Sequence, residues 1–331
     1  MFNPMEVIGR AKQRRQRAAL AGTLADQARI RAGELRLQSE HCREPGVAPS
    51  AEDNLVISLT TIGSRLDNVA LTIESLMQQT QRASRIVLCL DRETFRWREL
   101  PLSLSRQQGR GLEILFCERD LGPHTKYYYT LQKYPDSLLL TVDDDKLYPD
   151  DMVARLLVAH RAQPGVVHCH RGHGMTFRRG QIRPYKRWQW NTLRSEASPL
   201  VFPTGVGGVL YFPGCFDEHV LDDGLFRQLC PSADDVWLKA MTLARGVDCQ
   251  VVPRDYLWKT RNLTIPGSQQ TALKRRNKHA VSGNDAQIAR TFDYFGLLAP
   301  LAHEYRARPA LKPAAERSGV TPLTGTYQAI P

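Results

Sequence analysis

The chain has 331 residues, of which 42% are hydrophobic and 24% are charged, as in an ordinary globular protein. No apolar run approaches the roughly 18 to 20 residues of a membrane span, and the N-terminus lacks the apolar stretch and cleavage site of a signal peptide. The formal net charge of +11 favours phosphate-bearing partners such as a nucleotide, a lipid pyrophosphate, an anionic membrane or a nucleic acid.

The seven cysteines show neither a CxxC pair nor a zinc-binding spacing. Several lie inside apolar, strand-like runs, which predicts reduced thiols in the core of a cytoplasmic protein.

Residues 1–50 form a distinct first segment. Residues 7–37 are rich in Ala, Arg, Gln and Leu and contain no proline, which predicts a helix. Basic residues cluster near its start, so the helix is either a peripheral membrane or partner contact or a solvated extension that packs loosely on the body. Residues 43–54, "REPGVAPSAEDN", read as a linker.

The body begins with four apolar runs, "LVISLT", "RIVLCL", "LEILFC" and "SLLLTV", that are typical of buried parallel strands. Helical patterns lie between them, including one predicted over residues 124–134. Alternating strands and helices predict an α/β fold with a mostly parallel sheet and right-handed crossovers. Ligands of such sheets bind beyond the carboxyl ends of the strands.

Three consecutive carboxylates, Asp143, Asp144 and Asp145, follow the fourth run directly. Their mutual repulsion opposes folding unless a cation, hydrogen bonds or water relieve it. Oxygen ligands favour Mg²⁺ or Mn²⁺, which binds one or two carboxylates together with phosphate oxygens. A metal–nucleotide site is therefore predicted, against the alternative of a solvated loop.

Residues from about 54 to 255 resemble nucleotide-sugar-dependent glycosyltransferases of the GT-A fold. Among these, they are most similar to the family-2-like bacterial enzymes that build surface polysaccharides. The resemblance is carried by "VISLTTIGSRLDNVALTIESLMQQT", "DLGPHTKYYYTLQKYPDSLLLTVDDDKLYP" and "SADDVWL". It implies a GT-A domain over residues 54–300, between the N-terminal helical extension and a Pro-rich tail at 307–331. The implied partners are a nucleotide-sugar donor and a glycan or lipid-linked acceptor, with no nucleic acid. The implied location is the cytoplasm, with possible peripheral contact with the inner face of the membrane.

The resemblance also implies roles for individual residues. Asp143 and Asp145 match the metal-holding DxD pair, and Asp144 would contact ribose or sugar. Many related enzymes complete this site with a later histidine, for which His279 is the best candidate. The remaining donor-side positions are the nucleotide contacts Thr60 and Arg65, the base-reading Asp91, the diphosphate-proximal Lys126, and Gly207 and Gly208 in a Gly-rich pocket floor.

The segment "CPSADDVWLKAM" supplies the predicted catalytic base. Ser232 is expected to cap a helix, with Asp235 at the capping-box position. The resemblance implies that one carboxylate here accepts the proton of the acceptor hydroxyl, as an inverting transfer requires. Asp235 is favoured over Asp234, and a purely structural helix start is the alternative.

Two further segments allow more than one interpretation. "HCHRGHG" places His168, His170 and His173 close together, but no carboxylate or thiolate stands at a convincing zinc spacing. "RPYKRWQW" interleaves aromatic and basic residues, which suits either a polyanion or the stacking of acceptor sugar rings. A sugar-nucleotide nucleotidyltransferase and a polyanion-binding protein are the rival functions; the first lacks its Gly-rich phosphate loop after the first strand, and the Asp clusters oppose the second.

Overall fold

The computed structural model describes residues 4–50, 53–95, 100–268 and 283–308. The four apolar runs form parallel strands in the first half of the body: β1 (Leu55–Thr60), β2 (Arg85–Asp91), β3 (Leu112–Cys117) and β4 (Leu138–Thr141). They alternate with helices α2 (Leu66–Met77), α3 (Leu102–Gln108) and α4 (Thr125–Lys133). The predicted α/β class is confirmed.

The second half extends the sheet with three short strands, β6 (Val167–Cys169), β11 (Val209–Tyr211) and β12 (Cys249–Val251). Three small pairs lie outside it: β5 (Lys146–Leu147) with β13 (Leu263–Thr264), β7 (Gly172–Gly174) with β10 (Val201–Pro203), and β8 (Phe177–Arg178) with β9 (Gln181–Ile182). The helices of this half are α5 (Met152–Ala162), α6 (Asp223–Leu229), α7 (Asp234–Ala244), α8 (Trp258–Arg261), α9 (Asn284–Tyr294) and α10 (Leu298–Ala307).

The order of the seven strands is β12-β6-β11-β4-β1-β2-β3. Only β11 runs antiparallel, and it does so to both of its neighbours. Consequently β6 and β12 run in the same direction as β4, and the carboxyl ends of six strands meet at one edge. The segment that precedes β11 enters the sheet at that same edge.

Helices cover both faces of the sheet. One apolar cluster joins β1 and β2 to α2, α3 and α5, whereas the other joins α4, α7, α9 and α10 to the second half of the sheet. Six of the seven cysteines are buried, as expected for core thiols. Glu74 of α2 and Arg110 form an ion pair at 2.7 Å that is almost fully buried beside this sheet, with side-chain exposures of 0% and 5%. Gln107 donates a further hydrogen bond to Glu74.

Helix α1 (Pro4–His41) contains the predicted helical segment. Its last turns pack on the body, because Leu35 is fully buried against Leu71, Leu147 and Ile265. The stretch expected to be a linker also packs on the body. The Gly46 amide donates to the carbonyl of Arg110, and the Ala48 amide donates to the carbonyl of Ala83. No helix in the described ranges is both long and apolar enough to cross a membrane.

Candidate active site

The three consecutive aspartates lie at the carboxyl end of β4, and each has a different environment. Asp143 is the most accessible, with a third of its side chain exposed, and its nearest cation is the Lys126 ammonium at 3.4 Å. Its backbone amide donates to the buried hydroxyl of Tyr148, which fixes the turn after the strand. Asp143 is therefore the carboxylate of the triplet that is most open to a ligand.

Asp144 is buried and is bound by the protein itself. The hydroxyl of Thr61 and the guanidinium of Arg65 both donate to it at 2.6 Å. Burial raises the pKa of Asp144, and these two donors oppose that rise. Thr60, the predicted nucleotide contact, instead donates its hydroxyl to the carbonyl of Cys89 on the neighbouring strand. The side chain that reaches the triplet is that of Thr61.

Asp145 is also buried, and it pairs with Lys146 at 3.1 Å. Arg65 lies 3.9 Å from its other oxygen. Its carbonyl accepts the amide of Ile265, so the segment around β13 is attached directly to the triplet. Two resident cations thus relieve the repulsion between Asp144 and Asp145.

Lys126 lies at the start of α4, buried between two acidic groups. Its ammonium is 2.8 Å from Asp234 and 3.4 Å from Asp143. Burial lowers the pKa of Lys126, but the surrounding carboxylates outweigh burial and raise it above its ordinary value. Lys126 is therefore a buried and permanent positive charge beside Asp143 and Asp234.

The start of α7 differs from the predicted capping box. The N-cap residue is Ala233, and no side chain caps the helix. Ser232 instead binds Gln287 of α9 through its amide. The predicted serine cap is wrong, because the tertiary contact with α9 draws Ser232 out of the capping position.

The two aspartates of α7 point to different partners. Asp234 is buried and pairs with Lys126. Asp235 accepts the backbone amide of Gly205 at 3.0 Å. Burial, followed by repulsion from Asp234, raises the pKa of Asp235 to about 8, against the opposing effect of Lys126. Since a general base works best with a pKa near the operating pH, Asp235 has the environment of a base.

Gly205 lies between the acidic groups. A Cβ atom at this position would be 3.0 Å from Oδ1 of Asp143, 3.3 Å from Oδ1 of Asp235 and 3.5 Å from Nζ of Lys126. The carboxylates at the end of β4 and at the start of α7 are thus close neighbours across Gly205, where any added side chain would crowd them.

The next two glycines have separate roles. A Cβ atom on Gly207 would overlap the ring of Trp258, so this glycine lets the tryptophan cover the turn. Gly208 has a φ of 88° and faces the core residues Leu140 and Met152. The structure therefore places Gly207 against Trp258 and Gly208 against the core.

Of the remaining predicted positions, only some lie where the structure describes them. Asp91, at the end of β2, is buried and accepts the amide of Thr94, which closes the turn after the strand. His279 lies outside the described residues. His168 and His170 bind backbone carbonyls, of Gln163 and Met152 respectively.

A divalent cation would find only part of its ligand set among these side chains. Within the described ranges, no group of three or more His, Cys, Asp or Glu side chains is arranged to hold a metal ion. Asp143 is open to a cation, whereas Asp145 would have to exchange its contact with Lys146. The arrangement suits a metal that takes one or two protein carboxylates, Asp143 first, and completes its shell with phosphate oxygens and water.

Sequence reasoning missed a basic group on the far side of the crevice. Arg171 follows β6, Arg254 follows β12, and Asn191 binds both guanidinium groups. Tyr185 and Trp190, which the sequence assigned either to a polyanion or to stacking on acceptor sugars, lie beside this group around His173. The basic run at 171–194 was a visible signal, but nothing local connects it with residue 254.

No protein-family model and no curated protein matches the chain. Solved structures similar to it include TarS residues 1–349 from S. aureus in complex with UDP (13% identity, TM-score 0.42), a match that covers 61% of this chain and 58% of that one. The chain thus spans little more than half of that TarS fragment.

Two other similar structures belong to different enzymes. The mannosyltransferase PcManGT from Pyrobaculum calidifontis, in complex with GDP-Man and Mn²⁺, is 14% identical, with a TM-score of 0.45 over 88% of this chain and 84% of that one. A 4-diphosphocytidyl-2C-methyl-D-erythritol synthase is 12% identical, with a TM-score of 0.38 over 68% and 98%. The similar structures thus include glycosyltransferases and a nucleotidyltransferase, and the function proposed below rests on the side chains of this chain.

Proposed function

We propose that the protein transfers a sugar from a nucleotide-sugar donor to a hydroxyl group of an acceptor, with inversion at the anomeric carbon. The observation that carries the proposal is the position of Asp235. It is a partly exposed carboxylate with a raised pKa, held at the start of α7 by the Gly205 amide, next to Asp143 and Lys126.

The reaction needs one proton acceptor and one leaving group. Asp235 accepts the proton of the acceptor hydroxyl while the hydroxyl oxygen forms a bond to the anomeric carbon. The bond between that carbon and the diphosphate oxygen breaks, and the nucleoside diphosphate leaves with the electron pair. Lys126, with its persistent positive charge, is placed to oppose the negative charge that develops there.

We propose that the donor binds beyond the carboxyl ends of β1, β2 and β4. In this arrangement Arg65 and Asp144 form a fixed pair beside the nucleotide, and Asp91 is at the end of the neighbouring strand. We propose Mn²⁺ or Mg²⁺ as the cofactor, held by Asp143 and by Asp145 once Asp145 releases Lys146, with His279 as a further ligand. When bound, such an ion neutralises charge on the diphosphate.

A thermal-shift screen of nucleoside diphosphates and nucleotide sugars, with and without Mn²⁺, tests the donor and metal assignments. A ligand at 100 times its dissociation constant stabilises a protein by about 2.7 kcal/mol, which such a screen resolves. Asp145→Asn should abolish the Mn²⁺-dependent part of the shift and leave the protein folded. An unaltered Mn²⁺-dependent shift in this variant would remove Asp145 from the metal site.

The rival function, a sugar-nucleotide nucleotidyltransferase, is tested with the same protein by identifying the products of the reaction. A nucleotidyltransferase would release pyrophosphate from a nucleoside triphosphate and a sugar phosphate, whereas the proposed enzyme releases nucleoside diphosphate from a nucleotide sugar. The contact between Arg65 and Asp144 argues against a phosphate-binding loop after β1, because it occupies the loop's one arginine with a carboxylate.

We place the acceptor among glycans or lipid-linked sugars of bacterial surface polysaccharides, and the protein at the cytoplasmic face of the membrane. The basic start of α1 supports a peripheral membrane contact. Sedimentation with vesicles that contain anionic lipid tests this: deletion of residues 1–22 should remove salt-sensitive binding and leave the transfer activity intact. Equal sedimentation of both proteins would contradict the membrane contact.

A further inference from the structure

Two arginines lie together at the carboxyl ends of adjacent strands. Arg171 donates from Nε to Oδ1 of Asn191 at 2.7 Å, and Arg254 donates from Nη2 to the carbonyl of the same residue at 3.3 Å. Thr204 and the carbonyl of His170 are their other hydrogen-bond acceptors. All these acceptors are neutral groups.

Neither guanidinium group forms a direct ion pair with a carboxylate of the described residues. Among the described residues, no carboxylate oxygen lies within 4.0 Å of a guanidinium nitrogen of Arg171 or Arg254. Burial lowers the pKa of both arginines. For Arg171, the nearby Tyr185, Asp235 and Asp143 oppose this effect of burial, whereas the charge of Arg254 adds to it. Since an arginine stays protonated in a protein, the pair keeps two partly desolvated charges that a bound anion would stabilise.

The residue that connects the arginines has an unusual backbone. Asn191 has a φ of 51°, a left-handed conformation that costs free energy for a residue other than glycine, although asparagine tolerates it better than most. Its amide donates to Nδ1 of the buried His173 at 3.0 Å. Three side chains thus hold Asn191 in the one orientation that presents acceptors to both guanidinium groups.

Aromatic rings complete the surface around the pair. The guanidinium of Arg171 lies 5.9 Å from the ring centre of Trp190, and that of Arg254 lies 5.5 Å from the ring centre of Trp258. Trp190 is half exposed. An exposed indole beside a guanidinium can stack on a sugar ring while the cation binds a charged substituent of that sugar.

The strand order places this surface away from the donor. The donor is assigned to β1, β2 and β4, whereas Arg171 and Arg254 follow β6 and β12 on the other side of β11. At a strand spacing of about 4.8 Å, the end of β6 is roughly 10 Å from the end of β4. Asp235 and Gly205 lie between the two regions, which is where an acceptor hydroxyl would meet the donor sugar.

We propose that Arg171 and Arg254 bind an anionic substituent, a phosphate or a carboxylate, of the acceptor, so that the enzyme glycosylates an acidic sugar. This inference rests on the proposed function, because it takes the Asp235 side of the crevice as the acceptor side. It names the chemical class of the acceptor, and Trp190 is the stacking platform for its ring.

The test is binding of three small probes: glucose 6-phosphate, methyl glucuronide and the neutral methyl glucoside. The variants are Arg171→Gln and Arg254→Gln, and Arg245→Gln is the matched control, since Arg245 is exposed at the end of α7. Each protein is titrated by calorimetry, and its thermal shift with the best nucleoside diphosphate is measured in parallel.

We expect wild type to bind at least one acidic probe about tenfold or more tightly than the neutral glycoside. The acidic probe that binds more tightly identifies the substituent as phosphate or carboxylate. Arg171→Gln and Arg254→Gln should each bind this acidic probe at least about tenfold more weakly than wild type, whereas Arg245→Gln should stay within twofold. The thermal shift caused by the nucleoside diphosphate should be unaltered in all three variants.

Several results would overturn the inference. Equal binding of the neutral probe, or equal binding of the acidic probes by all variants, removes the anion site. A nucleotide shift that falls together with acidic-probe binding assigns the arginines to the donor diphosphate instead. If no nucleotide binds to any protein while the acidic probe still depends on both arginines, the proposed sugar transfer fails and the anion site stands.

Discussion

Replacing Asp235 with asparagine separates the chemistry of this residue from its structural role. The amide oxygen of asparagine can still accept the Gly205 amide, which the carboxylate accepts at 3.0 Å. What the variant loses is the ability to take a proton. Because general bases contribute about 10²- to 10⁴-fold, we expect kcat to fall by at least about 10²-fold, while the affinity for the donor stays within a few-fold.

The same substitution should stabilise the protein at neutral pH. Burial raises the pKa of Asp235 to about 8 from an ordinary aspartate value, so the folded state binds this proton more tightly than the unfolded state. Stability from this group is therefore complete at low pH and declines as the pH rises from about 4 towards about 8. If the side chain were fully buried, the free energy of unfolding would be roughly 4 kcal/mol lower at pH 7 than at low pH. Because the side chain is partly exposed, we expect a loss of about 1–3 kcal/mol.

Two measurements check these expectations. Steady-state kinetics gives kcat and KM for each substrate, and thermal unfolding between pH 4 and pH 8 should show Asp235→Asn gaining a few degrees in Tm at pH 7 and little at pH 4. Asp293→Asn, an exposed position on α9, is the control for loss of one negative charge.

Either of two results would refute the assignment. An unchanged kcat removes the base. A large loss of donor or Mn²⁺ affinity with kcat preserved at saturation would make Asp235 a metal or donor ligand that acts together with its neighbour Asp143.

Three further predictions concern charge and packing. Lys126→Met should destabilise the protein by about 3–5 kcal/mol in urea unfolding, because it leaves buried carboxylates without their cation. Adding Asp234→Asn should restore part of the lost stability, and equal stability of the single and double variants would contradict the pairing. Glu74→Gln should cost a similar amount of stability by stranding its buried arginine partner, with kcat unchanged, and a loss of kcat in the folded variant would contradict a purely structural role. Leu35→Ala should cost about 2–5 kcal/mol and the exposed Leu37→Ala almost nothing in the same assay, and equal effects would show that α1 does not pack as described.

The first half of the fold was predictable because its signals are local. All four strands read as continuous apolar runs, and three of them, β1, β2 and β4, are almost wholly buried. The helix that begins within "GPHTK" starts and ends within a residue of the predicted bounds. Strands of three residues, such as β6 and β12, carry too few positions for a pattern, and nothing in "VLY" indicates that β11 runs antiparallel.

The candidate site was predictable only in part, because the sequence carries local signals and not long-range contacts. The Asp triplet and the pair at 234–235 are visible as motifs. Which carboxylate is paired and which is open depends on contacts over long sequence separations, such as Lys126 with Asp234 and Thr61 with Asp144. The cap expected at Ser232 failed because a tertiary hydrogen bond to α9 competes with the local one.

The packing of α1 has a consequence for how the crevice is oriented. A helix of 38 residues is about 57 Å long, and most of the residues between 15 and 27 whose burial the structure describes are exposed. Leu35 fixes the other end to Leu147 and Ile265, on the strand pair attached to the carbonyl of Asp145. Any body that binds the free end of α1 would therefore be held at a set distance and angle from the acidic edge of the sheet. A force applied to that end would reach the backbone of the Asp triplet through the buried contacts of the last turns of α1, Leu35 among them.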